Sequence, residues 1–181
     1  MAAVLSLFQT INEMDAVKKV LIPTDFSVKS LNLLLEFLKQ ASSGKFEIIL
    51  AHGYDVSNSF SEMLFYSEHK ILAKLLTKEF KESCHLIENT YQSRLHKFRF
   101  SILTGNGKRY VRNYVEANKI DLVVCPREYK MKFRSGNSFD LQPYLKTSNV
   151  EVLVMDHSQK VVSELENTEQ LADILLSNIG Q

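Results

Sequence analysis

Val20-Leu21-Ile22-Pro23-Thr24-Asp25-Phe26-Ser27, led in by Lys18 and Lys19, carries a short apolar run straight into a turn. Pro23 cannot donate to a ladder, so the run reads as a first strand that ends there. Ser27 or Ser30 can cap the helix that follows, where Leu31, Leu34, Leu35 and Leu38 recur at helical spacing and Ser43-Gly44 stops them. Phe46 to Ala51 then gives a second strand, rich in apolar and β-branched residues.

Further along, one long helical stretch is expected from about Phe60 to His96. Its apolar face runs through Met63, Ile71, Leu75, Phe80 and Ile87, and its wet face carries Lys70, Lys74, Lys78 and Glu82. Phe98 to Leu103 alternates as a third strand. Gly105-Asn106-Gly107 turns the chain into a helix bearing Tyr110, Val111, Tyr114 and Val115. Ile120 to Cys125 is almost wholly apolar, as a strand covered on both faces should be. A polar loop, Pro126 to Ser138, leads to a short helix near Phe139 to Lys146, and Val150 to Met155 closes as a fifth strand. Strands separated by helices predict a parallel, doubly wound α/β sheet, because parallel pairing needs crossovers and helices fill them.

Composition narrows the function classes. The 181 residues fit one domain with attachments, and 45% apolar with 24% charged residues is ordinary for a globular protein. A net charge of +1 builds no field that would draw nucleic acid or an anionic membrane, and with no Trp and seven scattered Tyr there is no stacking platform for single strands. Cys84 and Cys125 belong to no CxxC pair, so they read as reduced core thiols. Residues 1–16 carry Glu13 and Asp15 where an export signal would be apolar, and the cytoplasm is the expected location. The tail 157–181 is amphipathic through Val161, Leu165, Leu171, Leu175 and Ile179, and is expected to be an appended helix.

The order of these pieces resembles the universal stress protein family. The resemblance rests on Val20 to Ser27, on Ile48-Ile49-Leu50-Ala51-His52, on Gly105 with its helix into Asp121-Leu122-Val123-Val124, and on Val150 to Met155; it spans residues 17–156. It implies five parallel strands in the order 3-2-1-4-5, with any ligand at the switch between strands 1 and 4. It also implies a two-fold homodimer through the fifth strand. There Val150, Val152 and Val154 would line an apolar edge guarded only by Glu151, and such an edge tends to pair with another chain.

In the nucleotide-binding branch of the family, the loop after strand 4 carries spaced glycines that let backbone N–H groups close on phosphate oxygens. Here Pro126 stands at the first glycine position and Tyr129 at the second, while Gly136-Asn137-Ser138 echoes the last element about three residues early. The usual phosphate cradle is missing. The same loop is basic through Arg127, Lys130, Lys132 and Arg134, against Glu128. It reads either as a solvated loop or as an anion site built from side-chain cations. Asp25 matches the acid that contacts the adenine or ribose end of the nucleotide, and equally suits a helix cap. Thr24 and His52 border the same end of the sheet, with no partner for His52 evident in the sequence.

The remaining chemistry is sparse. His52, His69, His85, His96 and His157 show no metal-binding spacing, no Gly-x-Ser-x-Gly elbow is present, and Gly105-Asn106-Gly107 lacks the Gly-Lys-Ser of a phosphate-binding loop. The expectation is a non-enzymatic regulatory binding protein, without metal or catalytic residues, that works through protein partners or another small ligand. The other reading is an ATP- or AMP-binding stress sensor or weak ATPase. It would use Asp25 and Thr24 with His52 at the base end, and Arg127, Arg134 and Ser138 around the phosphates.

Overall fold

The computed structural model describes residues 17–41, 44–56 and 64–156. The extension 1–16 and the tail 157–181 lie outside the described residues. β1 (Val17–Pro23) gives way to a 3-10 turn (Val28–Ser30) and α1 (Leu31–Gln40), then β2 (Lys45–Tyr54), α2 (Glu68–Leu75) and α3 (Lys78–Thr90). After these come β3 (Leu95–Leu103), α4 (Lys108–Ala117), β4 (Leu122–Pro126), β5 (Ser138–Phe139), α5 (Gln142–Leu145) and β6 (Glu151–Met155).

The sheet order is β3-β2-β1-β4-β6, all parallel, so the expected fifth strand is β6. Alternate residues of the central strands go to opposite faces. Val20, Ile22, Ile48, Leu50, Ile102 and Val124 pack with α1, α2 and α3; Leu21, Ile49, Ala51, Leu103, Val123 and Cys125 pack with α4 and α5. Helices on both faces explain why these strands read as unbroken apolar runs. Each Val, Leu or Ile among them, taken fully out of water, contributes about 1.5–3 kcal/mol.

Three expectations need correction. The long second helix is two helices, because Thr77 turns its side chain to the Phe80 N–H at 3.2 Å and starts α3 anew. It also stops at Thr90, and His96 belongs to β3. The segment 57–63 lies outside the described residues. The short helix expected from Phe139 is only Gln142–Leu145, since Phe139 is in a strand. Finally, the sheet is not purely parallel: β5 pairs antiparallel with β2 through Gly53↔Phe139 and Tyr54↔Ser138.

That small strand positions the site. β3 occupies one side of β2 as far as Gly53, while β1 leaves the other side after Pro23↔Ala51. β5 therefore takes the place beside β2 that β1 has vacated, and Asp55 N–H continues the contact to Asn137 O at 2.7 Å. Gly53 makes the approach feasible, because a Cβ there would stand 2.6 Å from the Phe139 carbonyl oxygen. The loop after β4 thus folds back over the carboxyl end of β1.

Candidate functional site

The chain leaves β1 through Thr24, Asp25 and Phe26. Phe26 sits in the left-handed region at φ 56, a costly backbone for a bulky residue. Packing over-determines it: the ring is buried, stacks on His52 at 4.7 Å and meets Phe80 and Phe100 edge-on. This turn aims the Thr24 hydroxyl at Ser30 Oγ (2.7 Å), where it also accepts from Phe26 N–H. Ser27 caps the 3-10 turn by accepting from Ser30 N–H, whereas Ser30 makes no side-chain cap of its own.

Asp25 is only 3% exposed, and its carboxylate is held by donors from two parts of the chain. Oδ1 accepts from Ser27 N–H at 2.9 Å. Oδ2 accepts from the Tyr129 hydroxyl at 2.9 Å and from Lys132 N–H at 2.8 Å. Burial alone would push this carboxyl up; the hydrogen bonds from Ser27, Lys132 and Tyr129 outweigh it and hold the group below its ordinary value. Asp25 is thus more than a cap. It fastens the β4 loop to the end of β1.

Tyr129 is the residue that sequence spacing marks as bulk in a glycine position, and the structure gives that bulk a use. Burial pushes its phenol up to about 12, so it stays a neutral donor. Because its one proton goes to Asp25, the 3.1 Å contact with Ser27 Oγ has Ser27 donating. Gln142 Nε2 donates to the Tyr129 carbonyl at 3.2 Å and tethers the loop to α5.

His52, which lacks an evident partner in the sequence, has two. Nδ1 lies 2.9 Å from the Thr24 carbonyl, which can only accept, so Nδ1 carries the proton. Nε2 then accepts from Ser138 Oγ at 2.9 Å, tying β5 to β2. Burial lowers the imidazole below its ordinary value, partly offset by the Thr24 carbonyl and the charge of Asp25. The arrangement resembles a hydroxyl beside a base, but its role in the fold is to pin the roof over β1.

The structure brings the buried Thr24, Asp25 and His52 together at the end of β1, with the half-buried Ser138 bonded to His52. It does not bring Arg127 or Arg134 to them. Arg127 Nε donates to Asp156 Oδ1 at 2.8 Å on the exposed surface, and Arg134 faces Glu79 on α3, whose carboxyl is held below its ordinary value first by hydrogen bonds from its own N–H and from Thr77 and only in lesser part by the Arg134 charge. What sequence reasoning missed is the pairing of Asp25 with Tyr129 across 104 residues.

Outside the sealed carboxylate lies a crevice of about 380 Å³, lined by Ser27 and Lys29 on the β1 side and by Glu128, Tyr129, Lys130 and Lys132 on the β4 side. Among the described residues no group of three or more His, Cys, Asp or Glu is placed to hold a metal ion. Cys84 and Cys125 are buried thiols; burial pushes Cys125 up to about 12 and Cys84 higher still. No helix among the described residues is long and apolar enough to cross a membrane.

The model of the universal stress protein family matches residues 16–135. Among solved structures, the hypothetical protein PH0823 aligns with a TM-score of 0.50 at 21% identity, over 78% of this chain and 96% of that one. The hypothetical protein MJ0577 aligns at 0.49 and 24%, over 78% and 96%. The universal stress protein UspA from Lactobacillus plantarum aligns at 0.46 and 16%, over 78% and 99%. Among curated proteins nothing matches the chain.

Proposed function

The chain belongs to the universal stress protein family, and from that premise we propose that it is a non-enzymatic regulatory binding domain whose nucleotide cleft is closed by its own β4 loop. The observation that carries this reading is the Tyr129 hydroxyl seated 2.9 Å from Asp25. A base or ribose seeking that carboxylate would have to displace the phenol, the Lys132 amide and the β5 roof together. Pro126 adds to the case, since it removes one N–H from the segment that would otherwise wrap phosphates.

Two further parts complete the proposal. The domain forms a two-fold homodimer through β6, at the open end of the sheet order, where Leu153 and Val154 are exposed and Val150 and Val152 are half-buried beside them. It acts through protein partners in the cytoplasm, where two separate buried thiols stay reduced.

Native mass spectrometry of the purified chain tests the closed cleft, together with thermal shift in Mg-ATP against Mg-tripolyphosphate. We expect no co-purified nucleotide and no greater stabilisation by ATP than by the base-free anion. A specific site filled at about 100 times its Kd would add about 2.7 kcal/mol. Bound ATP or AMP, or a shift that needs the adenosine half, would replace this reading with that of a nucleotide sensor.

A further inference from the structure

We propose that the exposed aromatic patch at the carboxyl end of β3, formed by Leu64, Phe65, Tyr66 and Tyr110, is the docking surface of this chain's own tail, residues 157–181. Two separate pieces of sequence make the patch. Leu64-Phe65-Tyr66 precede α2, and Glu68 in its first turn accepts from the Ile102 N–H at 2.8 Å, which holds this piece against the end of β3. Tyr110 stands in the first turn of α4, its hydroxyl 3.3 Å from both the N–H and Oγ1 of Thr104. Its ring lies on Gly105, where a Cβ would come within 2.4 Å of it. The Tyr66 phenol is pushed up, by burial first and then by Glu68 and Tyr110, which places the two phenols near one another. Of the six exposed large apolar side chains among the described residues, these four gather here and the other two are on β6. Gathered apolar surface of this kind marks a place where another segment packs.

Position, length and charge select the tail as the occupant. In a parallel sheet β6 and β3 end at the same pole, here four strand spacings apart, or roughly 19 Å at about 4.8 Å each. The tail departs from that pole beside β4, because Arg127 holds Asp156 at 2.8 Å. Residues 157–168 can span about 3.3 Å each, or roughly 40 Å, twice the distance. The extension 1–16, by contrast, enters β1 at the opposite pole. In sequence, Leu171, Ile174, Leu175 and Ile179 then recur at i, i+3, i+4 and i+8, the apolar stripe of a helix, between Thr168 as a cap and Gly180 as a stop. Charge agrees. The tail carries four acids against Lys160, whereas Lys70, Lys108 and Arg109, the cations nearest the patch in the chain, are all exposed. The first turn of α4 holds no acid, so Lys108 and Arg109 oppose the helix macrodipole, a cost that an acidic segment laid beside them offsets. Four side chains are a small target for a free partner, but a tethered segment meets them at an effective concentration of roughly millimolar order.

The docking does not depend on the Asp25–Tyr129 bond, so it and the closed cleft stand or fall separately. Hydrogen exchange of the full chain, read by mass spectrometry, tests it. In the wild type the amides of 169–179 should exchange at least about tenfold more slowly than in a free peptide, and equally so at about 1 and 50 µM, because the contact lies within one chain. Leu64→Ser with Phe65→Ser removes two side chains that are 61% and 74% exposed, so the fold should stay intact while the tail amides return to free-peptide rates. Conversely, Leu171→Ser with Leu175→Ser should speed exchange over 64–67 at least about threefold. Tail amides that exchange freely in the wild type would overturn the proposal. So would protection that survives Leu64→Ser with Phe65→Ser, which would put the tail on another surface, or protection lost on dilution, which would put it on another chain. Exchange over 64–67 that ignores the tail substitutions would overturn it as well.

Discussion

The carboxyl end of β1 and the outer edge of β6 are opposite solutions to the same requirement, that buried polar groups find partners. At β1 every partner comes from within the chain: Asp25 takes donors from Ser27, Tyr129 and Lys132, and His52 is held between Thr24 and Ser138. At β6, among the described residues, the ladder has β4 on one side only, and Leu153 and Val154 are 38% and 39% exposed. Among the described residues the first region has completed itself and the second has not. Contact with other molecules is therefore expected at the edge rather than at the acid itself.

The contrast breaks most visibly at Asp25. Asp25→Ala leaves three buried donors, Ser27 N–H, the Tyr129 hydroxyl and Lys132 N–H, without their acceptor, and should cost about 3–5 kcal/mol in urea unfolding, since each such group costs about 1–3 kcal/mol. A loss below about 1 kcal/mol would mean that the network is ornamental. At the edge, Leu153→Lys with Val154→Lys should leave the fold intact and raise the dimer dissociation constant at least about 100-fold, seen by sedimentation. A wild-type chain that sediments as a monomer at tens of micromolar would remove β6 as the interface.

How far the sequence anticipates this contrast follows from the range of each interaction. Val20-Leu21-Ile22 and Ile48-Ile49-Leu50 announce central strands because both faces are buried, and the apolar edge at Val152 to Val154 is equally local. The break between α2 and α3 is hidden, since Leu72, Leu76 and Phe80 keep the i, i+4 spacing across it while one hydroxyl, Thr77, restarts the helix. β5 is hidden because two residues have no period; what selects it is Gly53, the His52–Ser138 bond and the space beyond Pro23. At the site, Asp25, Pro126 and Tyr129 stand out individually. Their closure onto one another does not, because no spacing rule links residues 104 positions apart.

A smaller effect separates the two buried titratable groups by pH. The folded His52 has a lowered pKa, so as pH falls below 6.5 the unfolded chain takes up a proton that the folded chain does not, and stability declines. The depressed Asp25 contributes stability that is fully present above 3.8 and is lost as pH falls through its folded value. Denaturant titrations should show both limbs, and His52→Asn should flatten the first at a cost of about 1–2 kcal/mol. A wild-type curve unchanged between pH 7 and pH 5 would contradict the buried, neutral imidazole. Smallest of all, Arg127→Gln should change stability by less than about 1 kcal/mol, because its pair with Asp156 is exposed. A larger loss would give that surface pair a part in holding the loop.

Titration of adenosine into the wild-type chain tests the closed cleft most directly. With the Tyr129 phenol on Asp25, no heat should appear up to about 1 mM, the weakest range that such a titration resolves. Saturable binding of adenosine that vanishes in Asp25→Asn would show the acid open to ligand and would contradict the account.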